Sequence, residues 1–199
     1  MKNFLAVVAT SAFASLGLFA QAADTPYQVR HFANIQIGDA VINATNTGAS
    51  STVSSPQNGD LCANYYVLNA TDATLLSCCS CLVKANTVQS LNLLDLLGVA
   101  PPTNSAIVKM MATVAAAGSC NAATVAIGAN VLATGLDVWG SHARLVRAYP
   151  GAVPTTAVYH ETAFTPSTLS AAELTALNAK CTAKSASPGI CAACRAGVQ

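Results

Sequence analysis

Three cysteines stand within four positions of the stretch TLLSCCSCLVKAN: Cys78, Cys79 and Cys81. Cys62, Cys120, Cys181, Cys191 and Cys194 bring the total to eight. An even number of cysteines in an exported chain reads first as a disulfide framework, and eight half-cystines allow far too many pairings for spacing to choose among them. Side-chain alternation narrows the choice. If residues 74–83 form a strand, Cys79 and Cys81 project from one face and Cys78 from the other. The neighbours Cys78 and Cys79 are then poor partners for each other, and the strand needs partners on both sides. Cys62, on the preceding strand-like segment, is one candidate. Cys181, Cys191 and Cys194 are the others, and they would tie the C-terminal tail to the sheet, with residues 78–81 as the hub.

The competing reading is ligation. Cys-Cys-x-Cys together with Cys191-Ala-Ala-Cys194 supplies enough thiolates for zinc or an iron–sulfur cluster. The spacing makes no tight ligand knuckle on both sides, and export favours oxidation. We therefore read all eight cysteines as disulfide-bonded and expect neither metal nor cofactor. A thioredoxin-like role for Cys191 and Cys194 would need a helix N-terminus after a strand; here the pair follows Pro188-Gly189 near the chain end.

Export itself is read from the N-terminus. Lys2 is a short basic region, Phe4 to Phe19 is apolar with small residues interspersed, and Ala20-Gln21-Ala22 fits the small-x-small cleavage rule. The run falls short of the roughly 20 apolar residues of a membrane span. Residues 1–22 are thus expected to be a signal peptide, and 23–199 a single domain with no later span. Its N-terminal arm covers about 23–46 and its helix and cysteine-rich tail about 170–199.

Strand-like segments follow at short intervals: Ile35 to Ala44, Cys62 to Leu68, Thr74 to Val83, Thr87 to Leu94 and Ala106 to Val114, with weaker ones near 122–127, 131–138, 143–149 and 156–164. Residues 45–60 are small and polar and read as a long loop, while residues 69–72 and 84–86 read as turns. One helix is well signalled in TLSAAELTALNAKC. Ser170 is placed to cap, Glu173 to reach back as the partner of a capping box, and Leu169 and Leu174 to form a hydrophobic staple. Leu174, Leu177 and Cys181 share one face. Many short strands and one late helix predict a mainly β protein: a disulfide-stapled antiparallel β-sandwich, Ig-like or similar, with one short C-terminal helix.

Charge and motifs exclude several functions. Without Lys2, eight basic residues face eight acidic ones, scattered along the chain. Nothing in that pattern serves nucleic acid or an anionic membrane, and a nearly uncharged surface lacks the usual repulsion between copies. His31, His142 and His160 form no metal-protease motif, and Ser141 and His142, as strand neighbours, face apart. No nucleophile elbow, P-loop or dinucleotide fingerprint occurs. No catalytic residue is assigned and no enzyme is expected. The lone tryptophan, Trp139, reads as core. The sequons Asn43-Ala44-Thr45 and Asn69-Ala70-Thr71 are taken as chance.

Four features together carry a resemblance: NATNTG at Asn43 to Gly48, the CCSC cluster, FTPSTLSAAEL at Phe164 to Leu174, and the closing cysteines. The chain resembles exported cysteine-rich bacterial proteins of the acidobacterial kind over most of its mature length. That resemblance implies a single stapled extracellular module and transfers no activity and no site residue.

These readings favour a secreted or cell-surface structural protein (a periplasmic location also fits) that associates with other copies of itself, as a filament or matrix subunit, by strand addition. The donor would be the segment Thr25 to Ala44. The alternative is an extracellular carbohydrate- or protein-binding module using an aromatic such as Tyr65, Tyr66 or Trp139. A metal/redox protein or enzyme ranks third. No small-molecule ligand is indicated.

Overall fold

The computed structural model describes residues 26–35, 40–49, 59–97, 104–115, 119–126, 131–146, 150–151, 153, 156–184, 191–192 and 194. The expected signal peptide lies outside them. In chain order the elements are β1 (Tyr27–Ala33), β2 (Ala40–Asn46), β3 (Leu61–Asn69), β4 (Leu75–Val83), β5 (Thr87–Asn92), α1 (Leu93–Leu97), β6 (Ser105–Val114), β7 (Leu136–Val146), β8 (Thr156–Ala163), β9 (Thr165–Pro166) and α2 (Ala171–Lys184). The strands form two antiparallel sheets. Sheet A has the order β4-β3-β6-β1-β9 and sheet B the order β5-β2-β7-β8. The protein is therefore mainly β, as its sequence predicts.

The patterning explains the layers. β2 alternates strictly, with Ala40, Ile42, Ala44 and Asn46 buried and the residues between them half-buried, which is how a strand with one covered face reads. β3 does not alternate: Leu61 to Leu68 are all buried. Its two faces meet different layers. Leu61, Ala63, Tyr65 and Val67 pack with Ile42, Ala44 and Val138 of sheet B in the main core. Tyr66 and Leu68 pack beneath α2 with Leu174, Leu177, Cys78 and Cys181. Sheet A is thus the middle of three layers, covered by sheet B on one side and α2 on the other.

The two adjacent tyrosines face these two cores and differ in one respect. The Tyr66 hydroxyl donates to the Ala122 carbonyl at 2.7 Å, whereas the Tyr65 hydroxyl is buried with no hydrogen-bond partner. Burial pushes both phenols up from their ordinary pKa. An unsatisfied buried hydroxyl is costly and a satisfied one contributes modestly. Tyr65→Phe should therefore leave stability unchanged or raise it by about 1 kcal/mol, and Tyr66→Phe should lower it by about 1 kcal/mol. Urea unfolding of the two variants, side by side, checks the opposite signs.

The helix α2 keeps its predicted face: Leu174, Leu177 and Cys181 are buried. Ser170 caps it, its Oγ accepting from the Glu173 amide at 3.1 Å. The capping box is not completed. The Glu173 carboxylate turns away from the cap to pair with Lys109 of β6, fastening the helix to sheet A.

Several local expectations are corrected. Residues 122–127 were expected as a strand, but the described part turns instead. Cys120 is stapled to Cys62, Asn121 Oδ1 accepts from the Ala123 amide at 2.9 Å, and Tyr66 holds Ala122, so the chain is bent back on itself. The expected strand Thr87 to Leu94 ends at Asn92, and Leu93–Leu97 coils into α1; a short apolar run carries no period that separates the two. Of the expected strand Ile35 to Ala44, residues 36–39 lie outside those described and Ile35 stands in a turn. Asn34 takes a left-handed φ of 57°, and β2 begins only at Ala40. Segments 131–138 and 143–149 merge into the eleven-residue β7 after residues 131–133 have first bonded to β6 of sheet A, with Val114 N donating to Val131 O at 2.7 Å.

The NATNTG segment is a structural latch. Asn46, fully buried, donates to Gly59 O at 2.9 Å and Val83 O at 3.0 Å, and its Oδ1 accepts from Gly48 N at 2.8 Å. Gly48 takes a φ of 80°, where a side chain is strained.

Candidate functional site

The cysteines form four disulfides: Cys62–Cys120, Cys78–Cys181, Cys79–Cys191 and Cys81–Cys194. Three of the four begin on β4, so this strand is the hub. Cys78 projects toward α2, and Cys79 and Cys81 project toward the sandwich core, because adjacent strand residues face apart. Cys62 is not a partner of the hub. It lies opposite Leu82 in the register of β3 and β4, while Cys78 lies opposite Tyr66. Four residues of strand, about 13 Å, separate the two. Cys62 instead reaches Cys120 in the turn above its own face.

The sulfurs of Cys81, Cys191 and Cys194 lie within 4.8 Å of one another, a spacing that three metal-ligating thiolates would share. Here they belong to two neighbouring disulfides, and a disulfide sulfur carries no thiolate charge. The structure thus places the redox-like tail pair Cys191 and Cys194 at β4 as two separate staples.

Tail and sheet edge are linked in a second way. Cys191 N donates to Ser80 O at 2.9 Å, so the tail also bonds to the backbone at the outer edge of β4. At the far edge of sheet A, β9 pairs with Gln28 and Val29 of β1. Sheet B has no such protection. Among the described residues nothing pairs along the outer edge of β5 or β8. Neither strand contains lysine or proline, the residues that usually discourage edge pairing. Val88 of β5 is 54% exposed and Tyr159 of β8 is 70% exposed. Near its end β8 is capped by the Arg30 guanidinium, which donates to Thr162 O.

Arg30 closes the flank where β1 and β8 face each other. It stacks over Phe32, 4.8 Å from the ring centroid, and Phe32 meets Phe164 edge-on with centroids 6.0 Å apart. Gly140 of β7 makes this possible, since a Cβ there would lie 2.9 Å from Phe32 Cζ. An open groove of about 420 Å³ follows this flank, lined by Arg30, His31, Thr162 and Thr165 among others.

Two of the three histidines meet on the same flank. His142 and His160 are directly opposite in the β7–β8 register. Sequence reasoning missed this pair because it exists only once the register is known. His31 is exposed on β1 and lines the groove of that flank without facing the pair in the register. The His142 pKa is held below the ordinary imidazole range, first by burial and then by the positive fields of Arg30 and His160. A base whose folded pKa is depressed binds its proton more readily in the unfolded chain. Its contribution to stability is intact above about pH 6.5 and is lost as the pH falls from there toward the folded value. Stability should therefore decline on acidification through that window, and His142→Gln should flatten the decline. Urea midpoints at pH 7.5 and 5 for both proteins measure it.

Of the aromatics proposed for binding, Tyr65 and Tyr66 are fully buried and present nothing to a ligand. Trp139 reverses the expectation made for it. It is not core: it is half-buried on the outer face of sheet B, with Asn43 and Ala163 opposite it on the neighbouring strands. Its neighbours Val138 and Gly140 take the inward positions. Asn43, on the same outer face, accepts from the Ser90 hydroxyl at 2.6 Å. No protein-family model matches the chain, and neither a curated protein nor a solved structure is significantly similar to it.

Proposed function

We propose that this protein is a secreted or cell-surface structural subunit whose copies assemble by strand addition, β5 of one copy pairing with β8 of the next to extend sheet B. The carrying observation is the asymmetry of the edges. Among the described residues the stapled tail bonds to β4 at one edge of sheet A and β9 pairs with β1 at the other, whereas no strand or tail segment pairs with β5 or β8 at the edges of sheet B. Unprotected strand edges are templates for pairing with another chain. Because the two free edges differ, the contact is head-to-tail, and repetition of it produces an open filament. The arm expected to be the donor fills interior positions of its own chain, β1 between β6 and β9 and β2 between β5 and β7, so the addition falls to the edges instead.

Other features support the reading. The mature chain, read as beginning at Ala23, carries balanced charge, so copies are not held apart electrostatically. Four disulfides form and persist in an oxidising compartment, and they make the subunit durable there. Sedimentation velocity and negative-stain microscopy of the mature, oxidised protein test the proposal. Oligomers growing with concentration into fibres are the expected outcome; a monodisperse monomer at millimolar concentration contradicts it.

A further inference from the structure

We propose that the outer face of sheet B is a binding site for neutral polysaccharide, centred on Trp139. The site is independent of the assembly contact, which uses the edges of the same sheet and leaves its face free.

The single tryptophan of the chain sits in an interior strand, β7, yet points away from both cores. Across the sheet it is flanked by unequal neighbours. On the β2 side stands Asn43, whose amide oxygen is taken by Ser90, leaving the amide NH₂ as a pair of donors beside the indole. On the β8 side stands Ala163, which offers only a methyl group beside the half-buried ring. Along β7, Asp137 and Ser141 share the face of Trp139, each about 6.8 Å away by strand rise. Ser141 is opposite Glu161 of β8. Both carboxylates are exposed.

The chemistry of this arrangement selects a ligand. An aromatic plane offers apolar contact to the C–H face of a pyranose ring. Carboxylates, an amide and hydroxyls at one sugar's distance from it suit the ligand's hydroxyl groups, in the usual combination of apolar platform and few polar anchors. Charge decides the class. The outer positions of β5, β2, β7 and β8 contain Asp137 and Glu161 and, among the described residues, no lysine, arginine or histidine. A face whose described charges are only negative disfavours anionic glycans, nucleic acid and acidic lipid, and the indole with its hydroxyl-matching neighbours then selects a neutral, hydroxyl-rich chain. In an assembled sheet B the platform would repeat along the ribbon, so many weak contacts would act together.

Trp139 is also the reporter. Titrating the mature, disulfide-bonded protein with neutral oligosaccharides (cello-, xylo- and manno-oligosaccharides) should give a saturable blue shift of tryptophan fluorescence. The protein should also be depleted from solution by the corresponding insoluble polysaccharides. Trp139→Ala should weaken that depletion by about tenfold or more, while Trp139→Tyr retains most of it. Asp137→Asn with Glu161→Gln, which leaves the indole and the fold untouched, should weaken it as well. Overturning results are no response to any neutral glycan, a preference for anionic glycans, or binding that survives Trp139→Ala in a variant that unfolds at the wild-type midpoint. Response only to a protein ligand would also overturn it.

Discussion

Removing any one of the three staples on β4 should cost about 2–3 kcal/mol, and removing all three should leave a chain that does not fold at 37 °C. The spans of these bridges, 103, 112 and 113 residues, suggest about 5 kcal/mol each if each acts alone. They do not act alone. With Cys79–Cys191 in place, Cys78 and Cys181 are joined through a path of about a dozen residues, and a loop of that size is worth about 3 kcal/mol. Cys81–Cys194 closes a shorter path still, worth about 2 kcal/mol. The first bridge formed carries the long-loop term and the other two add the short ones. Together they come to about 10 kcal/mol, comparable with the whole stability of a domain. Holding α2 there would still be the contact of Leu174 and Leu177, the Lys109–Glu173 pair, and the bonds from Asn178 Nδ2 to Val125 O at 2.6 Å and from Lys180 Nζ to Ala73 O at 3.2 Å. Urea unfolding of Cys78→Ala/Cys181→Ala, with circular dichroism of the variant lacking all three bridges, makes the measurement. A loss near 5 kcal/mol for the single bridge would show that the staples are not nested. A folded triple variant would show that they are dispensable.

The second large effect concerns assembly. Val88→Lys combined with Tyr159→Lys should abolish self-association and leave the fold intact. Both side chains are exposed, so stability should change by no more than about 0.5 kcal/mol. At the junction the two edges become neighbouring strands about 4.8 Å apart, and lysines brought together there repel and must be desolvated. The informative comparison is Lys180→Glu. This alters an exposed charge that donates to Ala73 O and faces Asp72 near the β3–β4 turn, on the far layer of the molecule, and it should not affect assembly. Persistence of fibres in the double lysine variant would remove β5 and β8 from the contact.

Much of this architecture was legible wherever local chemistry and final position agree. Cys78, Cys79 and Cys81 lie on a strand, so their faces followed from alternation alone, and the hub with its tail partners followed from the faces. The turns at 70–72 and 85–86 lie where Asn, Asp and Lys-Ala-Asn punctuate the apolar runs. α2 was marked by Ser170 and by the spacing of Leu174, Leu177 and Cys181. What could not be read depended on neighbours distant in sequence. In β7 the inward positions are Leu136, Val138, Gly140 and His142, and the outward ones include Trp139. The pattern misleads because Phe32, coming from the other sheet, demands a glycine inside and leaves the tryptophan outside. Cys62 is a candidate for the hub by proximity of strands, and only the register of β3 with β4 shows it to be four residues out of reach. The His142–His160 pair and the bare edges of sheet B are likewise properties of the assembled topology and of no single segment.

Assembly through sheet B makes a claim about individual backbone amides. Hydrogen exchange of the mature, oxidised protein, measured in dilute monomer and in assembled material, tests it most directly. Assembly should bring new protection in β5, Thr87–Asn92, and β8, Thr156–Ala163, with the amides of β4 and β9 unchanged. Protection gained at β4 and β9 instead, or assembly with no gain at β5 and β8, would contradict it.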